Sequence, residues 1–149
     1  MIEHSKSVRQ GVKQSLMVVD MPYNTYRNKV EALKNAKKII KYSKADAIKL
    51  EGGKKIVKII DYLRKNKINV MGHLGILPQS HKGKFRYKGK TIFERKNLIN
   101  DALLLQESGV FSIVLECIET NLAKRITKEL KIPTIGIGSS VNCDGQVLV

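Results

Sequence analysis

The sequence predicts an α/β protein of the (β/α)8 TIM barrel type, of which about five βα units are present in 149 residues. Short apolar runs alternate with longer segments that carry apolar residues at helical spacing, which is typical of parallel βαβ units. The short runs are continuously apolar, as expected for strands buried on both faces. They also end in polar residues or glycine, and the strand ends of a barrel meet at one rim. An open doubly wound sheet fits the alternation too, but the convergence of so many strand ends favours the barrel.

The first predicted strand is Leu16–Val19, closed by Asp20, and a helix over residues 27–43 follows it. A polar loop is predicted over residues 77–90, and Gly109 is a suitable residue to end the helix after that loop. The remaining elements are strands at 47–50, 69–71, 112–115 and 134–138, and helices at about 56–66, 93–108 and 120–130. The helices at 27–43 and 56–66 carry their apolar residues at helical spacing, so each can pack one face against a sheet.

Both ends of the sequence stop inside a structural pattern. Ile2, Ser5 and Val8 follow helical spacing at the start, and the apolar run Val147–Val149 is typical of the beginning of another element. A complete barrel takes about 250 residues. We therefore expect a single partial barrel domain over residues 1–149 that is truncated at both ends.

Composition limits the classes of protein that the chain can belong to. The net charge of +15 fits a nucleic-acid-binding module, but the lysines alternate with apolar residues at helical spacing and aromatic residues make up only 5%. This pattern favours solvated helix faces over a base-stacking surface. No apolar run approaches the roughly 18 residues that span a bilayer, and no signal peptide is recognisable, so we expect a cytoplasmic location without membrane contact. Cys117 and Cys143 lack metal-site spacing and are expected to be reduced thiols.

Five polar residues at or near the predicted strand ends are candidates for a site: Asp20, Lys49, Glu51, His73 and Glu116. Carboxylates bind Mg²⁺, which typically takes one or two of them together with waters and substrate oxygens. A 2-oxo acid supplies two such oxygens, and a metal ion would favour loss of the proton next to its ketone. Each residue taken singly also fits a turn or helix cap. The pattern indicates a metal-assisted site but does not select the reaction.

Five motifs add a resemblance to a known family. They occur in the family's order and cover nearly the whole chain: DMPYNTY at 20–26, DAIKLEGG at 46–53, VMGHLGILPQS at 70–80, VLECIE at 114–119 and IPTIGIGSSVNCDGQVLV at 132–149. Together they resemble the successive signatures of the ketopantoate hydroxymethyltransferase family. The KLEGG and GHLGxxPQS motifs are highly specific.

The resemblance implies transfer of a hydroxymethyl group from 5,10-methylenetetrahydrofolate to 3-methyl-2-oxobutanoate. The product, 2-dehydropantoate, belongs to pantothenate biosynthesis, and the reaction would pass through an enolate stabilised by Mg²⁺. The partners implied are therefore the small 2-oxo acid and the folate, with no nucleic acid. The resemblance also implies a homo-oligomer, usually a decamer in this family.

The resemblance assigns a role to each candidate residue. Asp20 would bind both Mg²⁺ and the 2-oxo acid, Glu51 would serve the metal, and Lys49 would contact the substrate. Glu116 would be the catalytic residue that transfers the proton, and His73 would lie near the substrate.

The chain departs from the family pattern at several places. The family's GDS motif, which carries another metal-binding aspartate and a substrate-binding serine, has no counterpart in the sequence. The loop at 83–90 is shorter than usual and altered, which affects the expected folate contacts. Glu119 replaces the usual proline, and Ser139 and Ser140 follow the last predicted strand.

Three alternatives stay open at this point. The first is another metal-dependent barrel enzyme, a carbon–carbon lyase of the phosphoenolpyruvate mutase type that acts on 2-oxo acids. The second is a basic nucleic-acid-binding module, whose binding would depend strongly on salt. The third is a chain that is inactive by itself, because an incomplete barrel leaves strand edges open.

Overall fold

The computed structural model describes residues 1–80, 83 and 86–148, which form a parallel sheet with helices between its strands. The strands are β1 (Val18–Asp20), β2 (Ala47–Glu51), β3 (Val70–Gly75), β4 (Ser112–Glu116), β5 (Thr134–Ile137) and β6 (Gly145–Gln146). The helices are α1 (Ile2–Gly11), α2 (Lys29–Ser43), α3 (Val57–Lys65), α4 (Ile92–Glu107) and α5 (Thr120–Glu129), with a 3₁₀ turn at Lys54–Ile56.

The local sequence explains where α2 begins and ends. The side-chain oxygen of Asn28 accepts hydrogen bonds from the backbone N–H groups of Val30 and Glu31, which caps the first turn. The helix ends at Ser43, because Lys44 adopts a left-handed conformation with φ 56°. Between these ends the buried residues are spaced three or four apart, so one face of α2 packs on the sheet.

The strands follow one another across the sheet in the order β1-β2-β3-β4-β5-β6, and every neighbouring pair is parallel. A doubly wound sheet would reverse its strand order at a switch point. The described strands show no such reversal. The prediction of a partial (β/α)8 barrel is therefore confirmed.

The two faces of this sheet have different surroundings. The helix face is covered by the helices and forms the main core, in which Leu50, Leu105, Ile113 and Leu115 have no exposed surface. The cavity face carries the alternate residues of the strands, several of which are only partly buried. Because side chains alternate along a strand, each strand contributes to both faces.

The structure corrects three details of the sequence prediction. β3 runs on to Gly75, so His73 lies inside the strand rather than after it, because backbone pairing with β4 continues past Gly72. A short strand, Gly145–Gln146, precedes the apolar run at 147–149, where glycine obscures the strand pattern. Of the polar loop predicted at 77–90, residues 81, 82, 84 and 85 lie outside the described residues, as does Val149.

Two smaller predictions can also be compared with the structure. Gly109 follows the end of α4 with φ +88°, as a residue that ends a helix should. Cys117 and Cys143 are free thiols, in agreement with the prediction. Among the described residues, no helix has the length and apolar character needed to cross a membrane.

Candidate active site

The five predicted site residues lie on the cavity face. Asp20, Glu51 and Glu116 are the last residues of β1, β2 and β4, while Lys49 and His73 lie two residues before the ends of β2 and β3. Parallel register places Asp20 beside Lys49 and Glu51 beside His73. Because residues two apart in a strand point to the same side, all five side chains can reach one space.

That space is a cavity of about 650 Å³. Its polar lining comes from the five predicted residues and one further side chain, Gln79. The rest of its lining is apolar and is supplied by Leu16, Val18, Met71, Pro78, Val114, Ile135, Ile137 and Val147. A small set of charged groups against an apolar wall is the usual form of a site for a small organic acid.

Asp20 and Lys49 form an ion pair across the first two strands. The Lys49 ammonium nitrogen Nζ lies 3.1 Å from Oδ2 of Asp20. The lysine side chain is 17% exposed and that of the aspartate 42%, so water reaches the aspartate more than the lysine. The Lys49 ammonium group therefore lies in the cavity wall, mostly shielded from water.

Glu51 is a buried carboxyl group, with 8% of its surface exposed. Burial raises the pKa of Glu51, and hydrogen bonding from Gln79 and the nearby Lys49 oppose that rise. The backbone N–H of Gln79 donates to Oε2 of Glu51 over 3.2 Å. A carboxylate that is buried yet partly compensated is a suitable cation ligand, because a cation relieves its remaining desolvation penalty.

His73 is neutral at physiological pH. Burial, followed by the charge of Lys49, lowers its pKa to about 4. Its Nε2 lies 2.8 Å from the carbonyl oxygen of Ile76. Because a carbonyl oxygen can only accept a hydrogen bond, Nε2 carries the ring proton and donates it. The other ring nitrogen, Nδ1, is buried and has no hydrogen-bond partner among the described residues.

Glu116 lies next to this histidine, with its Oε2 3.2 Å from Nε2 of His73. Since the pKa of His73 is about 4, this contact is not an ion pair at neutral pH. Burial raises the pKa of Glu116, against the opposing effect of Lys49. A carboxylate with a raised pKa is a stronger base, so Glu116 is suited to accept a proton from a ligand in the cavity.

Gln79 is a residue of this site that the strand-end argument does not find. It lies in the loop after β3 rather than at a strand end. The VMGHLGILPQS motif contains it, but a motif alone does not show what the side chain contacts. In the structure it contacts Glu51 and the backbone of Met21.

The sequence model of the family described as "Ketopantoate hydroxymethyltransferase" matches residues 1–149.

The chain belongs to the ketopantoate hydroxymethyltransferase family.

Curated relatives support this membership. The chain is 70% identical over 149 residues to the 3-methyl-2-oxobutanoate hydroxymethyltransferase of Pelagibacter ubique (strain HTCC1062), covering 100% of the chain and 58% of the relative. It is 50% identical over 151 residues to the protein of that name from Clostridium botulinum (strain Alaska E43 / Type E3), covering 99% of the chain and 55% of the relative. The chain therefore spans little more than half the length of these relatives.

Solved structures support the fold. The orotidine 5'-monophosphate decarboxylase of Methanocaldococcus jannaschii matches with a TM-score of 0.63 over 97% of the chain and 68% of that structure. The sequence identity is 19%, so this likeness concerns the barrel architecture alone.

The donor atoms of the cavity fit the magnesium that the family resemblance implies. Asp20 and Glu51 both bring carboxylate oxygens to the cavity. Within residues 1–80, 83 and 86–148, no three His, Cys, Asp or Glu side chains form a ready metal cluster. Mg²⁺ needs only one or two carboxylates, because it retains several waters and binds substrate oxygens. Two carboxylates with room for a ligand meet that requirement.

Proposed function

We propose that the chain is part of a 3-methyl-2-oxobutanoate hydroxymethyltransferase, which transfers the one-carbon unit of 5,10-methylenetetrahydrofolate to the 2-oxo acid to give 2-dehydropantoate. The single observation that supports it best is the cavity in which the Asp20–Lys49 pair faces the carboxyl group of Glu116. Family membership supports the choice of substrate. The reaction belongs to the formation of pantothenate.

Lys49 would bind the acid end of the substrate, and two carboxylates would hold the metal ion beside it. The ammonium group of Lys49 attracts the carboxylate or the ketone oxygen of the 2-oxo acid. Asp20 and Glu51 would hold Mg²⁺, which when bound polarises the ketone and so acidifies the neighbouring C–H bond. His73, kept neutral by its burial, limits the charge near the substrate.

Glu116 would act as the general base. Its carboxylate removes the proton from C3 of 3-methyl-2-oxobutanoate, and the electron pair of the C–H bond becomes an enolate. The enolate carbon then forms a C–C bond to the one-carbon unit as one of the two C–N bonds of that unit breaks. The oxygen of a water molecule replaces the second C–N bond, and tetrahydrofolate leaves with one proton from the water and the proton that Glu116 removed. The apolar lining, including Met71, Val114 and Ile135, suits the branched alkyl end of this substrate.

Proton exchange tests the role of Glu116 without requiring the folate. The chain is incubated with 3-methyl-2-oxobutanoate and Mg²⁺ in D₂O, and loss of the C3 proton signal is followed by ¹H NMR. Glu116→Gln should slow the exchange by roughly 10²–10⁴-fold, the usual contribution of a general base. Glu129→Gln is the matched control, because Glu129 lies at the end of α5 and pairs with Arg125 outside the cavity.

The result separates the proposal from its alternatives. Exchange at the wild-type rate in Glu116→Gln would show that another group is the base. Formation of 2-dehydropantoate, measured by mass spectrometry, should require 5,10-methylenetetrahydrofolate. A carbon–carbon lyase would convert its 2-oxo acid substrate without the folate.

We also propose that the whole protein is a cytoplasmic homo-oligomer. Sedimentation of the whole protein would measure the size of that oligomer.

A further inference from the structure

The loop over residues 76–80, here called the β3–α4 loop, contacts the ends of four strands. The backbone N–H of Ile76 donates to the carbonyl oxygen of Glu116 over 2.9 Å, and the Ile76 carbonyl accepts from His73. At the other end of the loop, Gln79 contacts both Glu51 and Met21. One short segment therefore joins the ends of β1, β2, β3 and β4.

Gln79 makes two different hydrogen bonds in this loop. Its backbone N–H donates to Oε2 of Glu51, and its side-chain Nε2 donates to the carbonyl oxygen of Met21, each over 3.2 Å. Met21 directly follows Asp20, and its own N–H donates to the carbonyl oxygen of Lys49 over 3.0 Å. Gln79 therefore holds the backbone next to Asp20 and the side-chain carboxylate of Glu51.

A group in this position has a defined physical effect. A glutamate side chain has three rotatable bonds, and a donor fixed to one oxygen restricts its carboxylate to few orientations. Residues that hydrogen-bond to metal ligands orient them and contribute to metal affinity. A change in the Gln79 side chain would leave its backbone donor to Glu51 in place. It would remove one of the two hydrogen bonds that hold the backbone at Met21, the other being the bond from Met21 to Lys49.

We propose that Gln79 is a positioning residue that fixes the Glu51 carboxylate and the backbone next to Asp20 in the arrangement that binds a divalent cation. The inference rests on the proposed function, since it concerns the same metal site. It adds a residue outside the strand ends, in a loop that joins four strands. Gln79 acts here through its backbone N–H and its side-chain nitrogen, which donate to the protein and not to a cation.

Binding of Mn²⁺ alone tests this inference without measuring activity. Free Mn²⁺ is followed by electron paramagnetic resonance as it is titrated with the 149-residue chain. Gln79→Met has a side chain of similar length that cannot donate a hydrogen bond. We expect it to weaken Mn²⁺ binding about tenfold, the low end of the effect seen for groups that orient metal ligands.

Two control variants make the result specific. Asn28→Ala removes the two cap hydrogen bonds of α2 and so loosens the fold away from the cavity. It should lower the thermal unfolding temperature while leaving Mn²⁺ affinity unchanged. Asp20→Asn removes a proposed ligand and should abolish most of the binding. If Gln79→Met does not fold by circular dichroism, Gln79→Asn replaces it, because the shorter amide no longer reaches Met21.

The outcomes distinguish the two proposals. If Gln79→Met binds Mn²⁺ as tightly as the wild type while Asp20→Asn has lost binding, the metal site stands and the inference about Gln79 is wrong. If the loss in Gln79→Met is matched by Asn28→Ala, Gln79 acts only through general stability and the inference is again wrong. If the wild type does not bind Mn²⁺, or Asp20→Asn binds it equally well, the proposed metal site fails and the inference fails with it.

Discussion

The helix face and the cavity face of the sheet are built from the same strands but meet different physical demands. On the helix face, Ile113 is fully buried against the helices. On the cavity face, Ile135 in the neighbouring strand is only partly buried and lines an open cavity. The helix face also carries apolar residues almost throughout, whereas the cavity face holds Lys49, Glu51, His73 and other ionisable groups. Stability therefore arises chiefly on one side of the sheet, and the capacity for chemistry lies on the other.

The contributions of the two faces to stability can be compared by making the same substitution on each face. Ile113→Ala should lower the free energy of unfolding by about 3–4 kcal/mol, because it leaves a cavity in a packed core. Ile135→Ala should lower it by about 1 kcal/mol, because water already reaches part of the site. Urea unfolding of both variants measures the difference. Equal losses would show that the two faces contribute alike.

A second prediction concerns the buried histidine on the cavity face. Because the folded-state pKa of His73 is about 4, below the ordinary 6.5, the unfolded chain binds the extra proton first as pH falls. The stability present above pH 6.5 is therefore lost between pH 6.5 and 4. At pH 5 the loss due to His73 should be about 2 kcal/mol relative to pH 7.5.

His73→Gln isolates this effect. Glu51 and Glu116 have raised pKa values, so their stability contribution has the opposite sign and decreases as pH rises through those values. Both carboxyl groups are present in wild type and variant, which allows subtraction of the two unfolding free energies at each pH. On acidification from pH 7.5 to pH 5, the free energy of unfolding should therefore fall less in His73→Gln than in the wild type. Parallel curves for the two proteins would contradict the burial of a neutral His73.

The smallest expected effect lies on the outer surface of the helices. Glu129 forms an exposed ion pair with Arg125 within α5. Glu129→Gln should change the free energy of unfolding by less than about 0.5 kcal/mol, because exposed pairs are screened by water and salt. A loss above about 1 kcal/mol in the same urea experiment would mean that this exposed ion pair contributes more to stability than exposed pairs usually do.

Much of the fold follows from periodicity. The apolar run Ile113–Leu115 predicts β4, and the helical spacing of apolar residues predicts α2 and α3. Burial on two faces and burial on one face leave these different patterns in a sequence. β6 is not predicted by such a pattern, because its residues, Gly145 and Gln146, are not apolar side chains. The extent of β3 escapes it as well, since pairing with the neighbouring strand decides where a strand ends.

Some features of the candidate site can likewise be predicted from the sequence, and others cannot. Asp20, Glu51 and Glu116 are predicted as neighbours because strand ends of a barrel converge. The contribution of Gln79 depends on the path of a loop, which no periodic pattern encodes. The shifted pKa of His73 depends on how deeply the ring is buried, a property of the assembled sheet. Convergence is visible in the sequence, whereas loop contacts and burial depend on tertiary structure.

The β3–α4 loop also has a consequence for the order in which a growing chain can assemble. The N–H of Ile76 finds its acceptor on Glu116, 40 positions later in the chain. At ribosomal speeds of about 5–20 residues per second, that acceptor emerges roughly 2–8 s after Ile76 itself. The contacts of Gln79 need only residues that are already synthesised. During translation the loop can therefore join the first three strands first, and the synthesis of β4 then adds Glu116 and the acceptor for Ile76.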